Sequence, residues 1–381
     1  MKIKTRFILL ATFGFLGAIV LGQSAWGFFW SDKKDDTIKI AVVSPYSGDL
    51  ASYGIPSKNA AKLAVNALNA NGGILGKKIK LFEEDDVCEA NTAANVANKL
   101  VSEKVFGVVG HLCSGATKAA LPIYQSANII VISPASTNPD LTLTGKNKNF
   151  FRTIAHDAAQ ANLQVDFIVK KLKSKKVAVI HDKADYGKGL ADLVKEGLEK
   201  AGVNVVLYEG ITAGAVDYSA LINKTKKAAP ETVVFGGYHP EASKIVGQAR
   251  SKGITANFVS GDGVKDPSFL KIAGKSAEGY YTSAPTDVSQ FPMAKSVSDQ
   301  YKKTYQSDPG TFSLQSYAAI QALANAIRVA GEADYQKTVD ALKTQTVDTP
   351  LGKISFDENG DVIGAGFAMY QVVNGTFQRA K

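Results

Sequence analysis

The chain has 381 residues, 45% of them apolar and 21% charged, with a formal net charge of +9. That apolar share supports a sizeable core, and the length points to two domains. The excess lysines are scattered over helical faces, as in "VKKLKSKK" (169–176), with no aromatic-laced basic motif, so a solvated basic surface is expected and nucleic-acid binding is not.

Lys2, Lys4 and Arg6 precede the apolar run "FILLATFGFLGAIVLG" (7–22) and the small residues of "SAWG". This is the layout of an export signal cleaved near Gly27, with the mature chain starting close to Phe28. The apolar run is shorter than the roughly 20 residues a spanning helix needs. The only cysteines are Cys88 and Cys113. In an exported chain that minimal even count favours one disulfide over a metal site.

Apolar β-branched runs then alternate with amphipathic stretches. Strands are expected at 38–45, 78–86, 105–112 and 128–136, with helices at 57–71, 91–104 and 115–126 between them. "FFRTIAHDAAQ" (150–160) reads as a crossing to a second series: strands at 176–183, 204–211, 232–238 and 257–263, helices at 187–201, 217–229 and 240–252. Alternation of this kind argues for two α/β units with parallel sheets covered on both faces. Three further helices (292–306, 313–330, 333–345), a hairpin in 352–363 turning at Asn359-Gly360 and a strand at 367–373 are expected to return to these units.

Ligands of open parallel sheets sit beyond the carboxyl ends of the strands. Those ends deliver Tyr53, Cys113-Ser114-Gly115 and Thr137 in the first unit, and Tyr186, Tyr238 and Asp262 in the second. Ser114 at a helix start can offer its hydroxyl and free backbone N–H groups to an anion. Hydroxyls on one side and tyrosines with an acid on the other suit a zwitterion held between two units. Each residue also has a plain structural role open to it, as a cap, a turn or a core aromatic. No P-loop, dinucleotide-binding glycine motif, metal-binding histidine pair or nucleophile elbow is present, so no enzyme is expected, and His111 is expected to be structural with a backbone partner.

"IKIAVVSPYSGDLASYG", "NANGGILGKKIKLFEEDDVC", "GHLCSGAT", "ISPASTNPDLT", "HDKADYGKGL" and "FGGYHPEASKIVGQARSKG" resemble the periplasmic leucine/isoleucine/valine-binding proteins of ABC transporters, in order along nearly the whole mature chain. The resemblance implies two doubly wound parallel-sheet lobes joined by a three-segment hinge that closes like a flytrap. It implies a signal peptide over 1–27, one lobe of 36–155 plus 285–365 and another of 156–284 plus 366–381. It implies a Cys88–Cys113 disulfide, Ser114 and Thr137 on the ligand carboxylate, and Ala135, Tyr238 and Asp262 on the ammonium. Tyr53, Leu112, Cys113, Tyr186 and Phe312 would surround the ligand side chain. Asp262 stands where the family often has Glu, a longer acid. The implied protein is a monomer in the periplasm, without cofactor or metal, that delivers a small amino acid to an inner-membrane permease. A sensory ligand-binding role for another amino acid or small carboxylate is the alternative.

Overall fold

A computed structural model describes residues 36–380 of the protein; the expected signal segment, 1–27, lies outside them. "TIKIAVVS" forms β1 (Thr37–Ser44), whose last five residues are all buried, as a central strand covered on both faces requires. β2 (Lys78–Asp85), β3 (Gly107–Val109), β4 (Ile130–Ser133) and β5 (Phe150–Arg152) join it in an all-parallel sheet of order β2-β1-β3-β4-β5. The connecting helices are α1 (Ala51–Ala70), α2 (Ala90–Ser102), α3 (Ser114–Ser126) and the single turn α4 (Asp140–Leu143).

α1 starts six residues before the expected position, with Pro56 inside it. Proline's fixed φ suits a helix, and its missing N–H leaves one carbonyl, that of Ser52, without the usual partner. Tyr53 therefore sits in the first turn of a helix and not in a loop.

The second sheet is built from β6 (Lys176–His181), β7 (Asn204–Gly210), β8 (Thr232–Gly236), β9 (Asn257–Ser260) and β10 (Tyr281–Pro285), all parallel. α5 (Asp157–Asp166), α6 (Asp185–Lys200), α7 (Ser219–Ala228), α8 (His239–Ser251) and α9 (Pro267–Ala273) cover it. The chain then forms α10 (Pro292–Tyr305), α11 (Ser313–Ala330), α12 (Tyr335–Thr344) and a small antiparallel sheet of β11 (Val347–Thr349), β12 (Gly352–Phe356) and β13 (Val362–Ile363). β14 (Phe367–Val373) and β15 (Thr376–Arg379) finish the second sheet, ordered β15-β14-β10-β9-β8-β6-β7. These two edge strands are antiparallel, unlike the purely parallel expectation. β14 follows β13 after only a short link, with no helix to carry the chain back to the opposite end of the sheet.

Alternation along β1 feeds two cores. Ile40 and Val42 pack with Ala61 and Val65 of α1 and with Leu323 and Ile327 of α11. Ala41 and Val43 face Leu100 of α2 and Leu121 and Tyr124 of α3. In the second lobe, Ala178 and Ile180 face α7 and α8, while Val177 and Val179 face α5 and α6. The chain passes between the lobes at 153–156, 286–291 and 364–366. Cys88 and Cys113 form a disulfide with their Cα atoms 5.5 Å apart. Among the described residues no helix is long and apolar enough to cross a membrane, and no group of three His, Cys, Asp or Glu is placed to hold a metal ion.

Candidate functional site

β3 ends against Gly110, whose φ is +141° and where a Cβ would lie 2.2 Å from the Val43 carbonyl oxygen, so only glycine fits. The next residue, His111, is fully buried. Its Nδ1 lies 2.7 Å from Asp86 Oδ2 and its Nε2 3.1 Å from the Tyr124 hydroxyl. The expected backbone partner is thus replaced by two side chains, one just after β2 and one from α3. The His111 carbonyl accepts from Ser133 Oγ at 2.6 Å and Ser136 Oγ at 3.0 Å, which stitches this strand end to the loop after β4.

Cys113 is the N-cap of α3 and offers no side-chain cap, its sulfur being committed to Cys88. Ser114 opens the helix, buried, with its Oγ 3.3 Å from the Asn138 backbone N–H. Gly115 faces the Asp185 carboxylate of the other lobe; a Cβ there would lie 3.4 Å from Asp185 Oδ2.

The loop carrying Ala135 and Thr137 is held through three successive carbonyls. Arg152 Nη1 donates to Ser136 O at 3.1 Å and Asn138 O at 2.9 Å, and the Asp157 N–H donates to Thr137 O at 2.8 Å. Arg152 is itself wholly buried, with Nε 2.5 Å from Asp361 Oδ1 in the turn that Asn359-Gly360 forms. Burial pulls its guanidinium pKa down and the Asp361 charge pulls it back up. Thr137 is fully buried, and its Oγ1 has no hydrogen-bond partner.

From the second lobe come Tyr186 in the first turn of α6, Tyr238 capping α8 and Asp262 just after β9. Asp262 Oδ1 accepts from the Tyr186 hydroxyl at 2.8 Å and from Gln160 Nε2 at 3.0 Å. The same Nε2 donates to Asp157 Oδ1 at 2.7 Å. Burial raises the carboxyl pKa of both aspartates; the Asp262 charge raises Asp157 further, while Gln160 and Tyr186 draw Asp262 partly back. Burial likewise keeps Tyr53, Tyr186 and Tyr238 neutral.

Tyr53 reaches across to the other lobe, its hydroxyl donating to Gly263 O at 2.8 Å. The hydroxyl must then accept from His239 Nδ1, 3.0 Å away, which assigns that nitrogen the proton. Its ring lies 5.6 Å from that of Phe312, a residue in the left-handed region at φ +68°. Beside Phe312, Thr311 Oγ1 donates to Lys265 O of the second lobe at 2.8 Å.

These residues line a small cavity. Pro45, Tyr53, Leu112, Cys113, Ser114, Ala135 and Phe312 border it from the first lobe, and Tyr186, Tyr238, Asp262 and Gly263 from the second. Of the residues singled out in the sequence for ligand contact, only Thr137 does not border it. Pro45 and Gly263 were not singled out, nor were Asp157, Gln160 and His239 behind the walls. One signal existed for two of these: Asp157, Gln160 and Gln164 recur at helical spacing on a face that turns out fully buried. Chemically, the cavity has a hydroxyl at a helix start on one side, a carboxylate on the other, and apolar walls. Ser114 Oγ accepts its hydrogen bond from the Asn138 backbone N–H.

Two α/β lobes that bring a helix-start hydroxyl and a carboxylate to one apolar-walled cavity have the build of a solute-binding protein. Residues 37–376 match the periplasmic binding protein family. The Leu/Ile/Val/Thr-binding protein of Salmonella typhimurium is 41% identical over 366 residues, covering 96% of this chain and 98% of that one. The leucine-, isoleucine-, valine-, threonine- and alanine-binding protein of Pseudomonas aeruginosa is 39% identical, covering 93% and 95%. The structure of a branched-chain amino acid transporter substrate-binding protein from Streptococcus pneumoniae, in complex with isoleucine, superposes with a TM-score of 0.81 at 33% identity, covering 91% and 99%. The chain belongs to the periplasmic binding protein family, in the branch of the Leu/Ile/Val-binding proteins.

Proposed function

We propose that this protein captures an α-amino acid with an aliphatic side chain (leucine, isoleucine or valine) between its lobes and presents it to an inner-membrane ABC permease. The observation that carries this is the placing of Ser114 and Asp262 on opposite lobes of one apolar-walled cavity. A buried carboxylate and a buried ammonium each need full hydrogen bonding, because unpaired burial costs several kcal/mol. Ser114, with the free N–H groups of the α3 start, suits the carboxylate, and Thr137 belongs to the loop that supports it. Asp262 Oδ2, the Ala135 backbone and Tyr238 suit the ammonium, since both hydrogen bonds of Asp262 end on Oδ1.

Specificity for an aliphatic side chain follows from what the cavity withholds. The hydroxyls of Tyr53 and Tyr186 are already engaged by Gly263 O and Asp262. A polar ligand side chain would therefore be buried against Leu112, the Cys113 sulfur, Pro45 and Phe312 without partners.

We assign the lobes to 36–155 plus 286–365 and 156–285 plus 366–380, a division supported by the sheet to which each segment contributes, Pro285 pairing with Phe367 in the second sheet and so falling one residue outside the lobe expected from the sequence. The protein acts in the periplasm as a monomer after removal of residues 1–27, and binds without catalysing a reaction; the family and the signal-like N-terminal sequence support this. A thermal-shift screen against the twenty amino acids tests the reading. Leucine, isoleucine or valine at a hundred times Kd should stabilise the fold by about 2.7 kcal/mol. No response to any of the twenty would refute it.

A further inference from the structure

We propose that Gln160, which does not border the cavity, is a positioning residue that sets amino-acid affinity by holding the Asp262 carboxylate to the first lobe crossing. The inference rests on the reading above that Asp262 faces the ligand ammonium. Gln160 is fully buried on α5, and all four hydrogen-bonding capacities of its amide are used. Its Nε2 hydrogens go to Asp157 Oδ1 at 2.7 Å and Asp262 Oδ1 at 3.0 Å. Its Oε1 accepts from the Asp262 backbone N–H at 2.9 Å and from Ser283 Oγ at 2.7 Å. A backbone N–H can only donate, so the amide orientation is fixed by the network.

Gln160 therefore grips Asp262 twice, by carboxylate and by backbone. It also joins Asp262 to Asp157, whose N–H holds Thr137 O in the first lobe. The relay runs from the loop beside the carboxylate end, through the first crossing, to the acid of the opposite lobe. Close packing guards it: a Cβ on Gly261 would lie 2.4 Å from the Tyr186 hydroxyl and 3.3 Å from Gln160 Oε1. Without the Gln160 amide, Asp262 Oδ1 keeps only Tyr186. The carboxylate could then turn toward its nearest donor, and the ammonium would meet an acid that is not preorganised.

Glutamate at position 160 gives a reversed pH response as the diagnostic. The charged and titratable groups around this position are Asp157 on its own helix, Arg152 of β5, Tyr186 of α6, Tyr238 at the start of α8 and Asp262 after β9. A third carboxylate there would have no hydrogens to share unless protonated, and would repel both aspartates.

Leucine affinity is measured by calorimetry from pH 5.5 to 7.5 for the parent, Gln160→Leu, Gln160→Glu and Asp262→Asn, with thermal midpoints confirming that each variant is folded at the titration temperature. Gln160→Leu should weaken binding about 10- to 100-fold, the range expected for lost hydrogen bonds to a charged group. Gln160→Glu should bind poorly at pH 7.5 and recover toward pH 5.5, while the parent weakens in that direction. If the Gln160 variants bind as tightly as the parent, or Gln160→Glu follows the parent's pH trend, while Asp262→Asn weakens binding, the positioning role alone falls. If Asp262→Asn binds as tightly as the parent, the site reading falls with it.

Discussion

Lys118 and Asp185 meet across the mouth of the cleft, Nζ to Oδ1 at 2.6 Å, one from α3 and the other from the start of α6. Asn138 Nδ2 adds a bond to the Asp185 carbonyl at 2.7 Å. Neither Lys118 nor Asp185 borders the cavity, so the pair bears on closure and not on ligand contact. Both side chains are more than a third exposed, which limits the pair to at most about 1 kcal/mol. Asp185→Ala should speed ligand release by about two- to fivefold, with the association rate little changed, and added salt should mute the difference. Stopped-flow release measurements at two ionic strengths decide it.

Removing a ligand anchor should cost far more. Ser114→Ala is expected to weaken leucine binding by about 1–3 kcal/mol, as for a hydrogen bond to a charged group. Asp262→Ala should exceed that, because it leaves the ammonium buried without its counter-charge. Isothermal titration of the two variants tests the order as well as the size; a smaller loss for Asp262→Ala would reverse the assigned roles.

Raised carboxyl pKa values make binding respond to pH. In the free protein Asp157 and Asp262 hold protons above the ordinary aspartate value, near about 4. The folded state then binds more protons than the unfolded one, so their contribution to stability falls as pH rises from there toward neutrality. A bound ammonium favours ionised Asp262, so ligand binding in that window should release protons and affinity should drop as pH falls. Calorimetry in buffers of different ionisation enthalpy would reveal the release; proton uptake would contradict the reading.

Cys88 is the half of the disulfide that does not border the cavity. Cys88→Ser opens a loop with a sequence separation of 25 and should lower stability by roughly 3–4 kcal/mol in the chain-entropy picture. Urea midpoints give the loss directly. Leucine affinity measured well below the unfolding range should change much less.

Arg152 is the most heavily committed buried cation, bonded to Asp361, to Thr142 Oγ1 and to two carbonyls of the Ala135–Asn138 loop. Arg152→Met strands the Asp361 charge and should cost about 3–5 kcal/mol. The double change Arg152→Met with Asp361→Leu should recover part of that stability, since it removes the stranded charge, yet should not restore affinity. A double-mutant cycle separates the two effects.

Much of this was legible in the sequence for definable reasons. α11 was readable to its ends because Gly331 stops a long apolar face that begins at Ser313. The strand-end rule brought Tyr53, Ser114, Tyr186, Tyr238 and Asp262 together, since it depends on topology and not on side-chain detail. β10 was missed because "YTSAP" carries Thr282 and Ser283 inward, where Gly261 O and the Gln160–Gln164 pair satisfy them. α1 was begun late because Pro56 reads as a boundary when only the chain is in view. The Gln160 network was invisible for a related reason: buried polar residues lower the apparent hydrophobic face of α5, and their partners lie on other elements.

The face of the first sheet that α1 covers in part is completed by α11, so Ile40 and Val42 wait for Leu323 and Ile327 before that core is whole. During vectorial synthesis more than two-thirds of the chain must emerge before the opening strand is fully covered. Until then the nascent chain presents a β-rich apolar surface, a state suited to chaperone holding. Fragments cut anywhere before α11 should accordingly be insoluble or bound by chaperones, even when they include every residue of β1–β10.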